Sequence, residues 1–220
     1  MATNILIVIG TPLAGSLNHS LAHAYADSAR QAGAEVRIVD LATDPIPAHP
    51  RHINDLRMPR EGDAPLDADV ARYVADLEWA DHVSLFYPQW WGTYPAAFKA
   101  YLDAVLLAGF AHRYVGKRGW EKMLRGRTGR VFTTMDSPGW WNLAWYWQAA
   151  DVSVRHATLW YVGIKVVGIK RFAMVRHTDV ATRERWIAAT AKLGERDASR
   201  GPARGVVRTE PALAGSVATH

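Results

Sequence analysis

The chain contains no cysteine. Disulfides, thiolate metal sites and a cysteine nucleophile are therefore excluded, and a reducing compartment fits. Long apolar runs are also missing: no window approaches the roughly 20 residues a bilayer-spanning helix needs. The opening MATNILIVIGTPLAGS has no basic residue ahead of its short apolar run, which stops at Gly10-Thr11-Pro12. It reads as a first strand rather than a signal peptide, and a cytoplasmic protein without membrane insertion is expected. Several catalytic signatures are absent too. Gly10 and Gly15 have the spacing of a P-loop, but Ser16-Leu17 stand where Lys-Ser/Thr is required. There is no G-x-G-x-x-G and no G-x-S-x-G elbow. His19 and His23 are four apart but lack the glutamate of H-E-x-x-H. They are expected on a solvated helix face, and no metal site is expected.

What is present is the ordinary balance of one soluble domain in 220 residues, 49% hydrophobic and 21% charged. The departure is ten tryptophans, several of them clustered. Net charge is +5, with an isoelectric point near 9.6. The positive charge is dispersed except for Lys117–Arg130 and the C-terminal stretch, and no nucleic-acid-binding motif accompanies it. The basic segment reads as a solvated loop or as an attractor for the phosphates of an anionic cofactor.

Asn4–Ile9, continuously apolar after Asn4, bears the mark of a strand covered on both faces. Leu17, Leu21, Ala24, Tyr25, Ser28 and Ala32 recur at helical spacing before Gly33. Glu35–Asp40 alternates as a second strand, and Thr43–Pro65, with five prolines, reads as a long loop. A helix around Val70–Leu77, a strand at His82–Tyr87 and a helix opened by Pro95 follow. Val131–Thr134, a tryptophan-rich helical segment, a strand near Val166–Val175 and a helix over Val180–Leu193 complete the pattern. From Glu195 onward the Gly, Pro, Ala and Arg content reads as a mobile tail. The order predicts an α/β domain over 1–194 with a five-stranded, doubly wound parallel sheet and helices on both faces. Ligands of such sheets bind at the carboxyl ends of the strands, which singles out the loops at 10–18, 87–94 and 133–141.

In the first loop, GTPLAGSLN, small hydroxyls precede a helix N-terminus, which suits a phosphate monoester or a plain N-cap at Ser16 or Asn18. In the second, FYPQWWGTYP, paired indoles beside backbone N–H groups suit a planar heterocycle, or else a core or dimer interface.

The segments TPLAGSLNHSL, LFYPQWWGTYPAAFKAYLDAVLLAGFAHRY and GRVFTTMDSPGWW resemble the flavodoxin-like NAD(P)H:quinone oxidoreductases, from about residue 4 to 193. The resemblance implies a three-layer sandwich of strand order 2-1-3-4-5 and a homodimer whose interface borders a bound flavin. It implies FMN, with FAD possible, NADH or NADPH as hydride donor, and ping-pong reduction of quinones or similar flat acceptors. An efflux-system regulatory subunit and a one-electron carrier are the alternatives, the high isoelectric point opposing the second. Carried over residue by residue, Thr11, Ser16, Leu17 and Asn18 face the flavin phosphate, with Thr11 where the family usually has histidine. Pro88, Gln89, Trp90 and Trp91 offer main-chain N–H groups to the ring. Thr133, Thr134, Met135 and Asp136 stand where the family has T-T-G-G, and Asp136 is expected either to accept the flavin N3–H or to cap the turn Ser137-Pro138-Gly139. Phe110, His112, Trp140 and Trp141 are expected to line the substrate pocket, the first two from across the dimer. The family's Tyr and His after the third loop have no match; Tyr146 and His156 are nearest in sequence, and catalytic residues remain unassigned.

Overall fold

The structure, a computed structural model, describes residues 2–203. In chain order its elements are β1 (Asn4–Ile9), α1 (Leu17–Gln31), β2 (Glu35–Asp40), α2 (Ala68–Trp79), β3 (His82–Pro88) and α3 (Ala96–Val105). There follow β4 (His112–Val115), β5 (Gly119–Lys122), β6 (Thr128–Thr134), α4 (Gly139–Ala144), α5 (Ala149–Val152), β7 (Lys165–Phe172) and α6 (Val180–Ala198). α5 runs on into a π-helical turn over Ser153–Trp160. The main sheet is all parallel in the order β2-β1-β3-β6-β7, the expected doubly wound arrangement. The strand-free reading of Lys117–Arg130 is corrected: β4 and β5 form a separate antiparallel hairpin.

β1 shows why its run is apolar throughout. Leu6 and Val8 enter the core beneath α2, α3 and the 149–160 helix, while Ile5, Ile7 and Ile9 enter the core beneath α1 and α6. On that second face Phe86 and Phe132 stack with centroids 4.2 Å apart, and Tyr25 of α1 sets its ring edgewise on both. α1 and α6 approach so closely that a Cβ on Gly194 would collide with the Tyr25 carbonyl.

The tail expected from Glu195 is also corrected at its start. α6 continues to Ala198, and Asp197 is fully buried. Its carboxylate takes a bidentate pair from Arg130 (Nε 2.6 Å, Nη2 2.9 Å), the Tyr25 hydroxyl at 2.9 Å and Arg200 Nε at 2.7 Å. The remainder of that stretch, 204–220, lies outside the described residues. Burial alone would raise the Asp197 carboxyl, but Arg130 and the nearby His82 outweigh it and hold it well below the usual carboxylate range. His82, 3.4 Å from that carboxylate, is pushed down by burial, which Asp197 offsets only in part.

Two expectations follow. Asp197→Asn leaves a buried guanidinium without its counter-charge, so urea unfolding should show a loss of about 3–5 kcal/mol; a loss below about 1 kcal/mol would mean the pair does not anchor α6. Both Asp197 and His82 have folded-state pKa values below their unfolded ones, so the unfolded chain binds more protons and stability rises with pH. The urea midpoint should fall as pH drops below about 6.5, where unfolded histidine protonates, and fall again below about 3.9. A midpoint unchanged between pH 7.5 and 5 would refute the histidine part.

Candidate functional site

β1, β3 and β6 end at one edge of the sheet, where β1 and β3 flank the switch in strand order. Three hydrogen bonds tie the loops leaving them. Asn18 Nδ2 donates to Thr134 Oγ1 at 3.0 Å, the Gln89 N–H donates to the Thr134 carbonyl at 2.7 Å, and Gln89 Nε2 donates to Asn142 Oδ1 at 2.8 Å. The structure thus brings the three expected loops into one cluster.

In the first loop Thr11 is buried, its hydroxyl accepting the Leu13 N–H at 3.3 Å. Gly15 has φ +67 with open space where a side chain would stand, and it turns the chain into α1 at Ser16. The N–H groups of Leu17 and Asn18 open that helix with no intrahelical acceptor. Ser16 is held from behind: its N–H donates to His19 Nδ1 at 3.3 Å and its hydroxyl lies 2.8 Å from the same nitrogen. Nδ1 therefore accepts, and Nε2 carries the proton it donates to Asp40 Oδ1 at 3.1 Å. This corrects the expectation of a solvated His19. Only 8% of it is exposed, because the first turn of α1 lies over the carboxyl end of β2; His23, one turn on, is exposed.

The second loop is a tight turn in which Trp90 and Thr93 exchange N–H···O bonds of 2.8 and 2.9 Å. Trp91 (φ +52) and Gly92 (φ +78) occupy its corners, and Trp91 is wholly exposed. The expected donors shift accordingly. Pro88 has no N–H, and those of Gln89 and Trp90 are engaged by Thr134 and Thr93. Among the described residues the N–H groups of Trp91 and Gly92 have no protein acceptor.

The third loop departs further from expectation. Met135 is buried, its N–H bonded to the Phe172 carbonyl at 2.8 Å and its carbonyl to the Val175 N–H at 3.1 Å. Asp136 does not cap the following turn. Its two oxygens accept the Arg176 backbone N–H at 2.9 Å and Arg176 Nη2 at 3.1 Å. Asn18 Oδ1 and Thr133 Oγ1 are buried without a partner. An unpaired buried acceptor of this kind calls for a donor from outside the protein.

Trp140 and Trp141 open α4 beside this loop, Trp140 largely exposed and Trp141 stacked on Trp145 at 5.2 Å. Tyr146 lies against the second loop, since a Cβ on Gly92 would sit 3.3 Å from its ring. Phe110 and His112 are not brought to the cluster within one chain. α3 starts at the second loop and its ten residues rise about 15 Å, carrying both residues away. His112 instead lines a cavity of about 910 Å³ with Tyr94, Tyr114 and Tyr161. Burial pushes its imidazole down, and Nδ1 has no partner. His156 lies at the other end of the sheet, near the start of β7. Sequence reasoning missed the His19–Asp40 brace and Asn142. The Ser16-x-x-His19 spacing at a helix start was a usable sign of the first, whereas nothing local marks the second.

The comparisons with known proteins bear on the fold. The Flavodoxin_2 family, described as having a flavodoxin-like fold, matches residues 3–194. An FMN-dependent NADH:quinone oxidoreductase of Ruegeria pomeroyi is 28% identical over 188 residues, covering 80% of this chain and 88% of that protein. A ribosyldihydronicotinamide dehydrogenase-like protein of Penicillium crustosum is 30% identical over 118 residues, which is 46% of this chain. That match spans only 42% of the fungal protein's length. Among solved structures, an NAD(P)H:quinone oxidoreductase from Methanothermobacter marburgensis superposes with a TM-score of 0.73 at 19% identity, covering 89% of this chain and 97% of that one. With the sheet order, the converging loops and a family match over nearly the whole described chain in agreement, this protein belongs to the flavodoxin-like fold family.

Proposed function

We propose that the three-loop cluster binds FMN and that the protein is an NAD(P)H oxidoreductase reducing quinones or similarly flat acceptors. The observation that carries this reading is the set of unmet hydrogen-bonding groups at one sheet edge. Free N–H groups at the start of α1 suit a phosphate. The buried, partnerless Asn18 Oδ1 suits a ribityl hydroxyl, and the unpaired N–H groups of Trp91 and Gly92 suit the carbonyl edge of the ring. Indoles on both sides supply the apolar walls. The groups present account for one phosphate and one ring system, which favours FMN over FAD, as does the name of the Ruegeria relative.

Bound there, FMN would supply a two-electron carrier between reduced nicotinamide and acceptor, so that NAD(P)H, a proton and a quinone become NAD(P)+ and a hydroquinone. The chain's own part is positioning and exclusion of water. Thr134 and Gln89 fix the first two loops against each other, and Trp90, Trp91, Trp140 and Trp141 wall the slot that donor and acceptor occupy in turn. Thr11, Leu17, Pro88, Thr133 and Met135 shape the floor. Asp136 orders Arg176 at the rim rather than meeting the ring. Phe110 and His112 reach such a slot only from a second copy, so the working unit is a homodimer. A cytoplasmic location, where NAD(P)H is at hand, is part of the same reading.

Purified protein should show flavin absorption or bind added FMN with one-to-one stoichiometry, mass spectrometry of the released compound giving FMN. A colourless protein that binds no added FMN would overturn the reading. Asn18→Ala removes both the unpaired acceptor and the tie to Thr134, and should weaken FMN binding about tenfold, the worth of roughly 1.4 kcal/mol. Asp136→Ala should leave FMN affinity within about twofold; a larger loss would return Asp136 to the flavin.

A further inference from the structure

The basic segment after α3 contributes cations of two kinds. Two of its arginines are structural: Arg127 donates to the carbonyls of Ala80 (2.9 Å) and Glu78 (2.8 Å), closing the end of α2, and Arg130 holds Asp197. Lys122 and Arg125 instead emerge at the amino end of the sheet, where β6 and β7 begin. There they meet Arg155 and His156 of the π-helical turn and Lys165, the first residue of β7. Together with Trp160 these five side chains line a recess of about 360 Å³.

The recess is an assembled feature of the fold. Gly163, at φ +105, lets the hairpin exit pack on the entry to β7: a Cβ there would stand 2.9 Å from the Arg125 nitrogen and 3.1 Å from Lys122 Cβ. The Leu124 N–H donates to the Val162 carbonyl at 2.9 Å across the same junction. Lys122 Nζ lies 3.1 Å from the centroid of the Trp160 ring, a cation–π contact that fixes the ammonium at the wall.

Among the described residues the charge is uncompensated. No carboxylate lines the recess, and none of the five side chains has an ion pair among the described residues. Elsewhere the chain pairs its arginines readily, as in Arg37–Asp76, Arg57–Asp63, Arg113–Glu121 and Arg171–Asp151. Burial, and then the neighbouring Arg125, push the Lys122 ammonium down. Four like charges gathered around one concavity repel each other, and an anion seated among them removes that cost. Arginine forks and lysine points are the usual equipment for phosphate, and the volume admits a ligand of mononucleotide size or smaller.

We propose that this recess is a second anion site, for a small soluble phosphate-bearing ligand, at the end of the sheet opposite the flavin loops. The inference does not rest on the flavin reading. The test is calorimetric titration of inorganic pyrophosphate into the purified protein at fixed ionic strength, repeated with one equivalent of added FMN, with Asn18→Ala reporting on any competition from the first loop. Saturable one-to-one binding is expected, weakened at least tenfold by R125Q/R155Q and unchanged by Asn18→Ala. Without ligand, the double variant should melt no lower than the parent, because repulsion has been removed; a merely structural cluster would melt lower. Should that variant fail to fold, Lys165→Gln, exposed at the strand edge, should weaken binding at least threefold. Non-saturable heat, equal affinity in the variants, or loss of binding in Asn18→Ala would each overturn the proposal. So would capture by phosphatidylglycerol vesicles without any binding of pyrophosphate, which would assign the recess to a membrane surface.

Discussion

The buried bidentate pair between Asp197 and Arg130 holds the last helix to the sheet, and much of the molecule is arranged around it. Asp197 also receives Tyr25 from α1 and Arg200 from beyond the helix. Beside it the Thr3 hydroxyl donates to the Ala198 carbonyl at 2.6 Å, and Asp81 accepts the N–H groups of Asn4 and Ala203. These contacts join the end of α6 to the amino ends of β1, β3 and β6. A carboxylate so placed is costly to desolvate and stays only because its oxygens are satisfied from several sides. α6 in turn buries one face of α1, and the first turn of α1 closes the first loop of the candidate site. The position of the candidate site thus depends on an ion pair at the opposite end of the sheet.

The parts of this fold that were legible in the sequence are those whose burial leaves a local pattern. β1 is apolar at every position after Asn4 because helices cover both its faces. β2 alternates because it is an edge strand, and Gly10, Gly33 and Pro95 punctuate the elements as turn chemistry requires. The hairpin left no such pattern: HRYV and GWEK are short, largely polar and nowhere fully buried, so nothing distinguishes them from a charged loop. Asp197 was read as tail because its meaning lies in Arg130, 67 positions away. His19 was misread for the same reason, its partner Asp40 standing at the end of another strand. Site residues chosen by loop position converge as expected. The donors within them do not, because backbone N–H groups at Gln89 and Trp90 are consumed by register and turn, which residue types alone do not reveal.

The third loop shows how two glycines can be replaced without closing the site. Met135 turns its side chain into the protein and gives its N–H and carbonyl to the segment around β7. Asp136 turns outward to Arg176. Neither side chain need occupy the space in front of Thr133 and Thr134, so the backbone there stays approachable. The first loop makes a comparable trade. Without a histidine at Thr11 it relies on helix-entry N–H groups, and the nearest imidazole, His19, is committed to bracing Ser16 from behind. The donors at the carboxyl edge of the sheet are therefore neutral, while at the amino edge Lys122, Arg125, Arg155 and Lys165 gather without an ion pair among the described residues.

Trp91 carries the least comfortable backbone in the cluster. A bulky residue at positive φ is disfavoured, and full exposure of its indole returns nothing for that strain. What holds it is external: the paired Trp90–Thr93 hydrogen bonds, Gln89 anchored to Asn142, and Tyr146 packed on Gly92. A turn over-determined from three sides, with strain at its tip, is the usual mark of a functional constraint rather than of packing. The conformation fixed in this way leaves two consecutive N–H groups without partners beside an uncovered indole. Burial does not explain that arrangement, and a flat ligand with acceptors along one edge does.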